Sequence, residues 1–224
     1  MAASLRGLIF DMDGVLVDSH ALHRTAWRRF FRTLGREIPD RELDFILDGR
    51  KRREILLHFL GPCPEPELER LGRCKDELFR QMQVSPAPVP GAVQTVRELS
   101  ACKLTLAVAT SASRERALST LAQLEMLDCF QAIVTGEDVR FGKPDSAIYR
   151  LACDRVGIDP GNLLAVEDAI SGVHAAVGAG LRCLGVALHE DPGRLAAAGA
   201  AYVVKNFEGI GVEELKRMMK PAEA

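Results

Sequence analysis

Short continuous apolar runs alternate with amphipathic stretches from Gly91 to the end of the chain. Such runs are typical of strands buried on both faces, whereas the stretches between them repeat at helical spacing. We predict strands at residues 8–10, 104–109, 132–134, 163–166, 182–187 and 202–204. We predict helices at residues 92–101, 114–126, 146–156, 172–179, 192–198 and 212–219.

Alternating strands and helices predict an α/β fold with a doubly wound, Rossmann-like parallel sheet. Residues 20–82 contain no convincing strand and repeat at helical spacing, and three prolines at residues 84–91 end that pattern. The helical stretch is therefore an insertion after the first strand. We predict a core domain of residues 1–17 and 87–224 and an α-helical domain of residues 18–86.

Composition narrows the classes of function. The net charge is −2, which gives no global basis for binding nucleic acid or a membrane surface. No apolar run reaches the roughly 18 residues that a membrane span needs, and the first strand leaves no room for a signal peptide. The six cysteines show no paired or zinc-binding spacing. We expect a reduced, cytoplasmic monomer that binds a small molecule.

The charges are unevenly distributed. Residues 19–84 carry 14 Lys/Arg against 11 Asp/Glu, and the rest of the chain carries 15 against 20. A basic insertion facing an acidic metal site would suit an anionic substrate, although a solvated helix face would also explain the pattern.

Asp11 and Asp13 directly follow the first predicted strand. Side chains at i and i+2 of an extended segment point the same way, so these carboxylates repel unless a cation or a proton lies between them. The arrangement suits a Mg²⁺-assisted carboxylate nucleophile with a carboxylic acid beside it. A pair of turn aspartates is the alternative for an isolated motif.

Polar residues follow three further strands. Thr110 and Ser111 precede a predicted helix, where free backbone N–H groups bind anions. Lys143 opens another helix and opposes its macrodipole, so we expect a phosphate or carboxylate partner for it. Glu167 and Asp168 end an apolar strand, which is costly unless they bind a metal or pair with cations. Together with Asp11 and the backbone carbonyl of Asp13, they would supply oxygen ligands for Mg²⁺.

The segment 11–19, the Thr110 site, Lys143-Pro144 and the Glu167-Asp168 pair together resemble the haloacid dehalogenase-like phosphotransferases. The helical insertion resembles the small α-helical cap of their β-phosphoglucomutase-like branch. The resemblance covers nearly the whole chain. It implies that Asp11 is the nucleophile, Asp13 the general acid/base, Thr110 a phosphoryl-binding residue and Lys143 a neutralising cation. It also implies that Asp168 binds Mg²⁺, with Glu167 either a ligand or just behind one, and Ser111 remains an alternative to Thr110.

The resemblance also suggests cap residues that contact substrate, namely His23, Arg52 and Lys75. Beside the Thr110 site, the mutases of this branch have a Ser-Lys-Asn run that holds the distal phosphate, whereas this chain has Ser113-Arg114-Glu115. Arg114 could bind that phosphate, but Glu115 would repel it. This departure from the mutase run favours a phosphatase that hydrolyses a small phosphomonoester, such as a sugar phosphate, through an aspartyl-phosphate. The alternatives are a β-phosphoglucomutase-type mutase and a catalytically silent sugar-phosphate-binding module. Dehalogenation is disfavoured because it leaves the Glu167-Asp168 pair unexplained.

Overall fold

A computed structural model describes residues 4–82 and 85–219. The strands in these residues are β1 Gly7–Phe10, β2 Thr105–Thr110, β3 Ala132–Thr135, β4 Leu163–Glu167, β5 Arg182–Val186 and β6 Tyr202–Val204. They form one parallel sheet in the order β3-β2-β1-β4-β5-β6. Because the chain leaves β1 in one direction and later returns to its other side, the sheet has a switch point between β1 and β4, where α/β proteins bind ligands.

Helices α1 to α4 lie between the first two strands. Their bounds are α1 His20–Thr33, α2 Asp40–Leu47, α3 Arg52–Leu60 and α4 Glu65–Met82. They enclose an apolar cluster of their own, in which Trp27, Phe30 and Phe31 of α1 pack with Leu43 of α2 and Leu56 of α3. The aromatic residues fall on one face of α1, as the helical spacing predicts. We call this helical unit the cap.

The remaining helices cover the two faces of the sheet. They are α5 Ala92–Ala101, α6 Arg114–Gln123, α7 Ala147–Val156, α8 Ile170–Gly178, α9 Pro192–Ala197 and α10 Val212–Met218. Leu8 and Phe10 belong to the apolar layer on one face, and Ile9 belongs to the layer on the other. Successive residues of a strand point to opposite faces, which explains the continuous apolar runs. The predicted doubly wound α/β fold with a helical insertion is confirmed.

The two connections between the cap and the sheet run side by side. Val17 pairs with Pro88 in an isolated antiparallel bridge, and the Asp18 amide donates to the Ala87 carbonyl at 2.8 Å. The domain boundaries at residues 17/18 and 86/87 remain predictions. Val84, the first residue of the proline-containing segment 84–91, lies outside the described residues.

Candidate active site

The register of the sheet brings the predicted motifs to one edge. Phe10 of β1 pairs with Val108 of β2 and with Val166 of β4. The next residues along the chain, beginning with Asp11, therefore lie beside the carboxyl ends of both neighbouring strands. Their proximity follows from parallel pairing rather than from sequence distance.

The ammonium group of Lys143 is shared among three acceptors at this edge. Its Nζ donates to Asp11 Oδ1 at 2.8 Å, to Glu167 Oε1 at 2.6 Å and to the Ala109 carbonyl at 3.1 Å. The expectation that Lys143 opens a helix is wrong, because α7 begins at Ala147 and the lysine lies in the preceding loop. Two buried carboxylates, rather than a helix terminus, explain the position of this cation.

Burial changes the acidity of the whole group. It raises the pKa of Asp11 to about 7, although Lys143 opposes the change. It also raises the pKa values of Glu167 and Asp168. Burial acts to lower the pKa of Lys143, but the attraction of Asp11 and Glu167 exceeds it, and that pKa rises. Ionisation of all three carboxyl groups is therefore unfavourable unless a further cation accompanies Lys143.

The acidic group has the composition of a divalent-cation site. Asp11, Glu167 and Asp168 are buried, and each offers a carboxylate oxygen within 4.8 Å of the others. Three carboxylates exceed one lysine in charge, and carboxylate oxygens are the ligands that Mg²⁺ prefers. These residues fit the ion. The assignment of Asp13 to the metal through its backbone carbonyl remains a prediction, and its carboxylate is not a member of the group.

Both carboxylate oxygens of Glu167 accept hydrogen bonds from the protein. Its Oε1 accepts a 2.7 Å hydrogen bond from the Tyr149 hydroxyl in addition to the bond from Lys143, and its Oε2 accepts from the Asp168 amide at 3.2 Å. Asp11 and Asp168, by contrast, line the adjoining cavity. Of the two positions left open for Glu167, this geometry favours the one just behind the ligands.

The carboxylate of Asp13 points to a different partner. Arg116 of α6 donates to Asp13 Oδ1 at 2.8 Å and to Oδ2 at 2.5 Å. Ser19 Oγ donates to Oδ1 at 2.6 Å, and His23 Nε2 lies 3.4 Å from the same oxygen. Burial opposes ionisation of Asp13, but Arg116 outweighs it, so the pKa of this carboxyl lies well below its ordinary value. Asp13 is a paired carboxylate in this structure.

The three predicted cap residues line one cavity between the cap and the sheet edge. Lys75 Nζ lies 3.2 Å from His23 Nδ1 and 5.1 Å from the centre of the Trp27 ring. Burial lowers the pKa of His23 to about 3 and that of Lys75 to about 8. Arg52 pairs with Asp76.

Of the predicted site residues at and just after the end of β2, some line the cavity and one lies on the surface of the core. Thr110 and Ser111 line the cavity, and Ser111 Oγ donates to the Gly49 carbonyl of the cap at 2.5 Å. Arg114, a predicted substrate-binding residue, does not line it. Its guanidinium instead pairs with Asp138 at 2.7 Å. Residues two apart on an α-helix point about 200° apart, so Arg116 faces the cavity and Arg114 faces away.

Sequence reasoning missed Arg116, His20 and Tyr149. His20 Nε2 lies 2.9 Å from Asp168 Oδ2. A signal for His20 was available, because it precedes His23 by three residues and therefore shares its helix face. Choosing Arg116 over Arg114 requires knowledge of how α6 is rotated about its axis, and predicting Tyr149 requires knowledge of how α7 packs against the sheet. The sequence alone does not supply either.

The cap contacts the core around the cavity. Glu54 Oε1 of α3 accepts from the Gly142 amide at 2.9 Å, and Lys51 Nζ donates to the Val139 carbonyl at 2.7 Å. On the opposite side the Ser171 amide donates to Asp48 Oδ1 at 3.0 Å. These contacts enclose the acidic group and Lys143 between the two units.

The fold and the site define an α/β enzyme with a helical cap over a carboxylate–lysine centre. A family model described as haloacid dehalogenase-like hydrolase matches residues 8–186. The chain belongs to this family and is an enzyme of its hydrolase class. The predicted family resemblance is confirmed.

Similar proteins include phosphatases that act on phosphorylated carbohydrates or related compounds. The chain is 32% identical to validoxylamine A 7'-phosphate phosphatase of Streptomyces hygroscopicus subsp. limoneus, over 85% of this chain and 89% of that protein. It is 31% identical to a phosphorylated carbohydrates phosphatase of Thermotoga maritima, over 93% and 98% respectively. A crystal structure of a CbbY mutant from Rhodobacter sphaeroides with xylulose-(1,5)bisphosphate superposes with a TM-score of 0.83 at 28% identity, covering 95% and 99%. The chain is also 29% identical to the β-phosphoglucomutase of Bacillus subtilis, over 94% of this chain and 94% of that protein.

No helix within residues 4–82 and 85–219 is long and apolar enough to cross a membrane.

Proposed function

We propose that this protein is a Mg²⁺-dependent phosphatase that hydrolyses a small phosphomonoester through an aspartyl-phosphate on Asp11. The observation that carries the proposal is the Asp11 carboxylate, which lies 2.8 Å from Lys143 Nζ within the buried acidic group and lines the cavity. Phosphoryl transfer depends on positioning and charge neutralisation, and this arrangement supplies both for an incoming phosphate.

The first step forms a bond between an Asp11 carboxylate oxygen and phosphorus and breaks the bond from phosphorus to the leaving oxygen. Lys143 neutralises charge on the phosphoryl group, and the Thr110 hydroxyl and nearby amides hold its oxygens. Asp13, once protonated, donates its proton to the leaving oxygen. Asp11, Asp168 and the backbone carbonyl of Asp13 would hold Mg²⁺, with Glu167 just behind them, and the ion would offset the repulsion between the nucleophile and the phosphate.

The second step is hydrolysis of the aspartyl-phosphate. Asp13, now a carboxylate, takes a proton from water, and the water oxygen bonds to phosphorus as the bond to Asp11 breaks. Covalent catalysis thereby replaces one difficult displacement with two easier ones. Phosphate leaves, and Asp11 and Asp13 return to their initial states.

A sugar phosphate is the proposed substrate class. Relatives with about one third of their residues identical are named for phosphatase activity on carbohydrate phosphates, and a similar structure holds a sugar bisphosphate. His23, Arg52 and Lys75 would contact the leaving group from the cap side of the cavity. We also propose that the protein is a monomer and that it lies in the cytoplasm. Its six free cysteines agree with a reducing compartment.

Release of inorganic phosphate from a panel of phosphorylated metabolites tests the proposal. The wild-type protein should release phosphate with Mg²⁺ present and lose this activity in EDTA, and added Mg²⁺ should restore it. Asp11→Asn should reduce the rate to the uncatalysed level, with an unchanged circular dichroism spectrum as the control for folding. Normal turnover by Asp11→Asn would contradict the mechanism.

A second experiment separates the phosphatase from a mutase, which the β-phosphoglucomutases among the relatives make a specific alternative. The protein is incubated with β-glucose 1-phosphate and a trace of the 1,6-bisphosphate. A phosphatase yields free phosphate. Glucose 6-phosphate without free phosphate would identify a mutase.

A further inference from the structure

Arg116 occupies the cavity in a way that the proposed mechanism does not use. Its side chain is 15% exposed, in the first turn of α6, and its guanidinium lies 5.3 Å from the centre of the Phe79 ring in the cap. Both Asp13 oxygens accept hydrogen bonds from it. This bidentate geometry is the strongest form of arginine–carboxylate pairing.

The pair prevents Asp13 from performing its proposed task. Arg116 takes both oxygens, and Ser19 Oγ donates to one of them as well. A carboxyl group that protonates a leaving oxygen must face that oxygen, which Asp13 does not do while the pair persists. Catalysis through Asp13 therefore requires that Arg116 release the Asp13 carboxylate.

Arg116 has no spare carboxylate among the described residues that line the cavity. Asp76, the remaining acidic residue on the cap side, pairs with Arg52 and lies 3.8 Å from Lys75 Nζ. Asp11 and Asp168 belong to the acidic group. A buried guanidinium that loses its partner is strongly destabilised unless another anion replaces it.

We infer that Arg116 selects the leaving group, and that it favours phosphomonoesters whose leaving alcohol carries a second anionic group. That group takes the place of Asp13 on the guanidinium and frees Asp13 to reach the ester oxygen. The inference rests on the proposed function, because it uses the role given to Asp13 there. A carboxylate and a second phosphate share the required chemistry, and matched substrates distinguish them.

Two pairs of substrates provide the test. 3-Phosphoglycerate and glycerol 3-phosphate differ by a carboxylate, and fructose 1,6-bisphosphate and fructose 6-phosphate differ by a second phosphate. The wild-type protein should prefer the more highly charged member of at least one pair by about tenfold or more in kcat/KM. Arg116→Gln should lower kcat/KM for that member by about 10- to 100-fold, the loss of a charge-assisted pair, and should abolish most of its preference over the member that lacks the second anionic group.

Binding is measured separately from turnover. In an Asp11→Asn background, the preferred anionic substrate should raise the melting temperature, and adding Arg116→Gln should remove most of that rise. Arg97→Gln is the matched control, because Arg97 also pairs with a carboxylate, Glu125, but on the surface outside the cavity. Arg116→Lys, which keeps the charge, should retain part of the preference and guards against a folding defect.

Two results overturn the inference alone while leaving the proposed function intact. One is wild-type hydrolysis of both substrates that lack the second anionic group at least as fast as of their partners that carry it. The other is an equal loss for all four substrates in Arg116→Gln. Failure to release phosphate from these four and from every other phosphomonoester tried overturns the proposed function and this inference with it.

Discussion

Lys143 is the residue that makes the buried acidic group compatible with a folded chain. It is 1% exposed and contacts the carboxylate of Asp11, which follows β1, and that of Glu167, which ends β4. A buried charge is tolerated when it is paired and hydrogen-bonded, and removal of one partner leaves the other uncompensated. The same lysine therefore has a structural task in addition to its proposed role on the phosphoryl group.

Lys143→Met should destabilise the metal-free protein. Two carboxylates would lose their buried cation, and we expect the free energy of unfolding to fall by about 3 kcal/mol. Urea unfolding in EDTA measures the change, with Lys205→Met at an exposed position as the control. A loss below about 1 kcal/mol, equal to that of the control, would show that Lys143 does not stabilise the group.

Several site residues could be predicted individually because each follows an apolar run. Asp11, Thr110 and Asp168 are of this kind, and the structure brings them to one cavity. Arg114 and Arg116 could not be distinguished in this way, because their difference lies in the rotation of α6 against the sheet. Sequence indicates which chemistry is present, whereas packing decides which side chain reaches it.

At the scale of elements, α8 packs unusually close to the acidic group. A Cβ atom added at Gly172 would overlap the carboxylate of Glu167. Gly178, at the end of the same helix, has space for one, with Ser146 Cβ at 3.5 Å as its nearest neighbour. Glycine at residue 172 is therefore required by a close approach.

Gly172→Ala and Gly178→Ala should have opposite effects on stability. Alanine is favoured over glycine in a helix by up to about 1 kcal/mol, so Gly178→Ala should be neutral or stabilising. In Gly172→Ala the overlap with Glu167 outweighs this gain, and we expect a loss of about 1–3 kcal/mol. Urea unfolding of both variants provides the measurement, and an unchanged or increased stability for Gly172→Ala would contradict the packing argument.

The elements themselves were largely predictable, and their ends were not. The predicted strand at residues 104–109 is Thr105–Thr110, so Thr110 belongs to β2 rather than to the following loop. The helix predicted to reach residue 126 ends at Gln123, and Glu125 beyond it has a φ of 52°, in the left-handed region. Apolar spacing continues through Leu124 and Met126 although the helix stops, so periodicity alone extends it too far.

At the scale of the whole molecule, the cap and core form one site through a few polar contacts. Glu54 links the start of α3 to the loop that carries Lys143, by accepting from the amides of Gly142 and Lys51. If the proposed substrate binds beneath the cap, its binding requires that this enclosed arrangement be populated. The apparent affinity then falls in proportion to any loss of the enclosed state.

Glu54→Ala should weaken substrate binding. Loss of a charge-assisted hydrogen bond between the cap and the core should raise KM by about tenfold and change kcat less. Glu67→Ala is the control, since Glu67 pairs with Arg70 within α4 rather than with the core. Steady-state kinetics with the best substrate of the phosphate-release panel measures both, and an equal KM in the two variants would contradict the proposed link.

The central claim is that Asp11 carries the phosphoryl group during turnover. Borohydride reduces an acyl phosphate to an alcohol, so quenching the working enzyme with borohydride should convert Asp11 to homoserine, which peptide mass spectrometry locates. We expect the conversion at residue 11 only, dependent on both substrate and Mg²⁺, and absent when EDTA is present. Turnover without conversion at residue 11, or conversion of another carboxylate instead, would contradict the account.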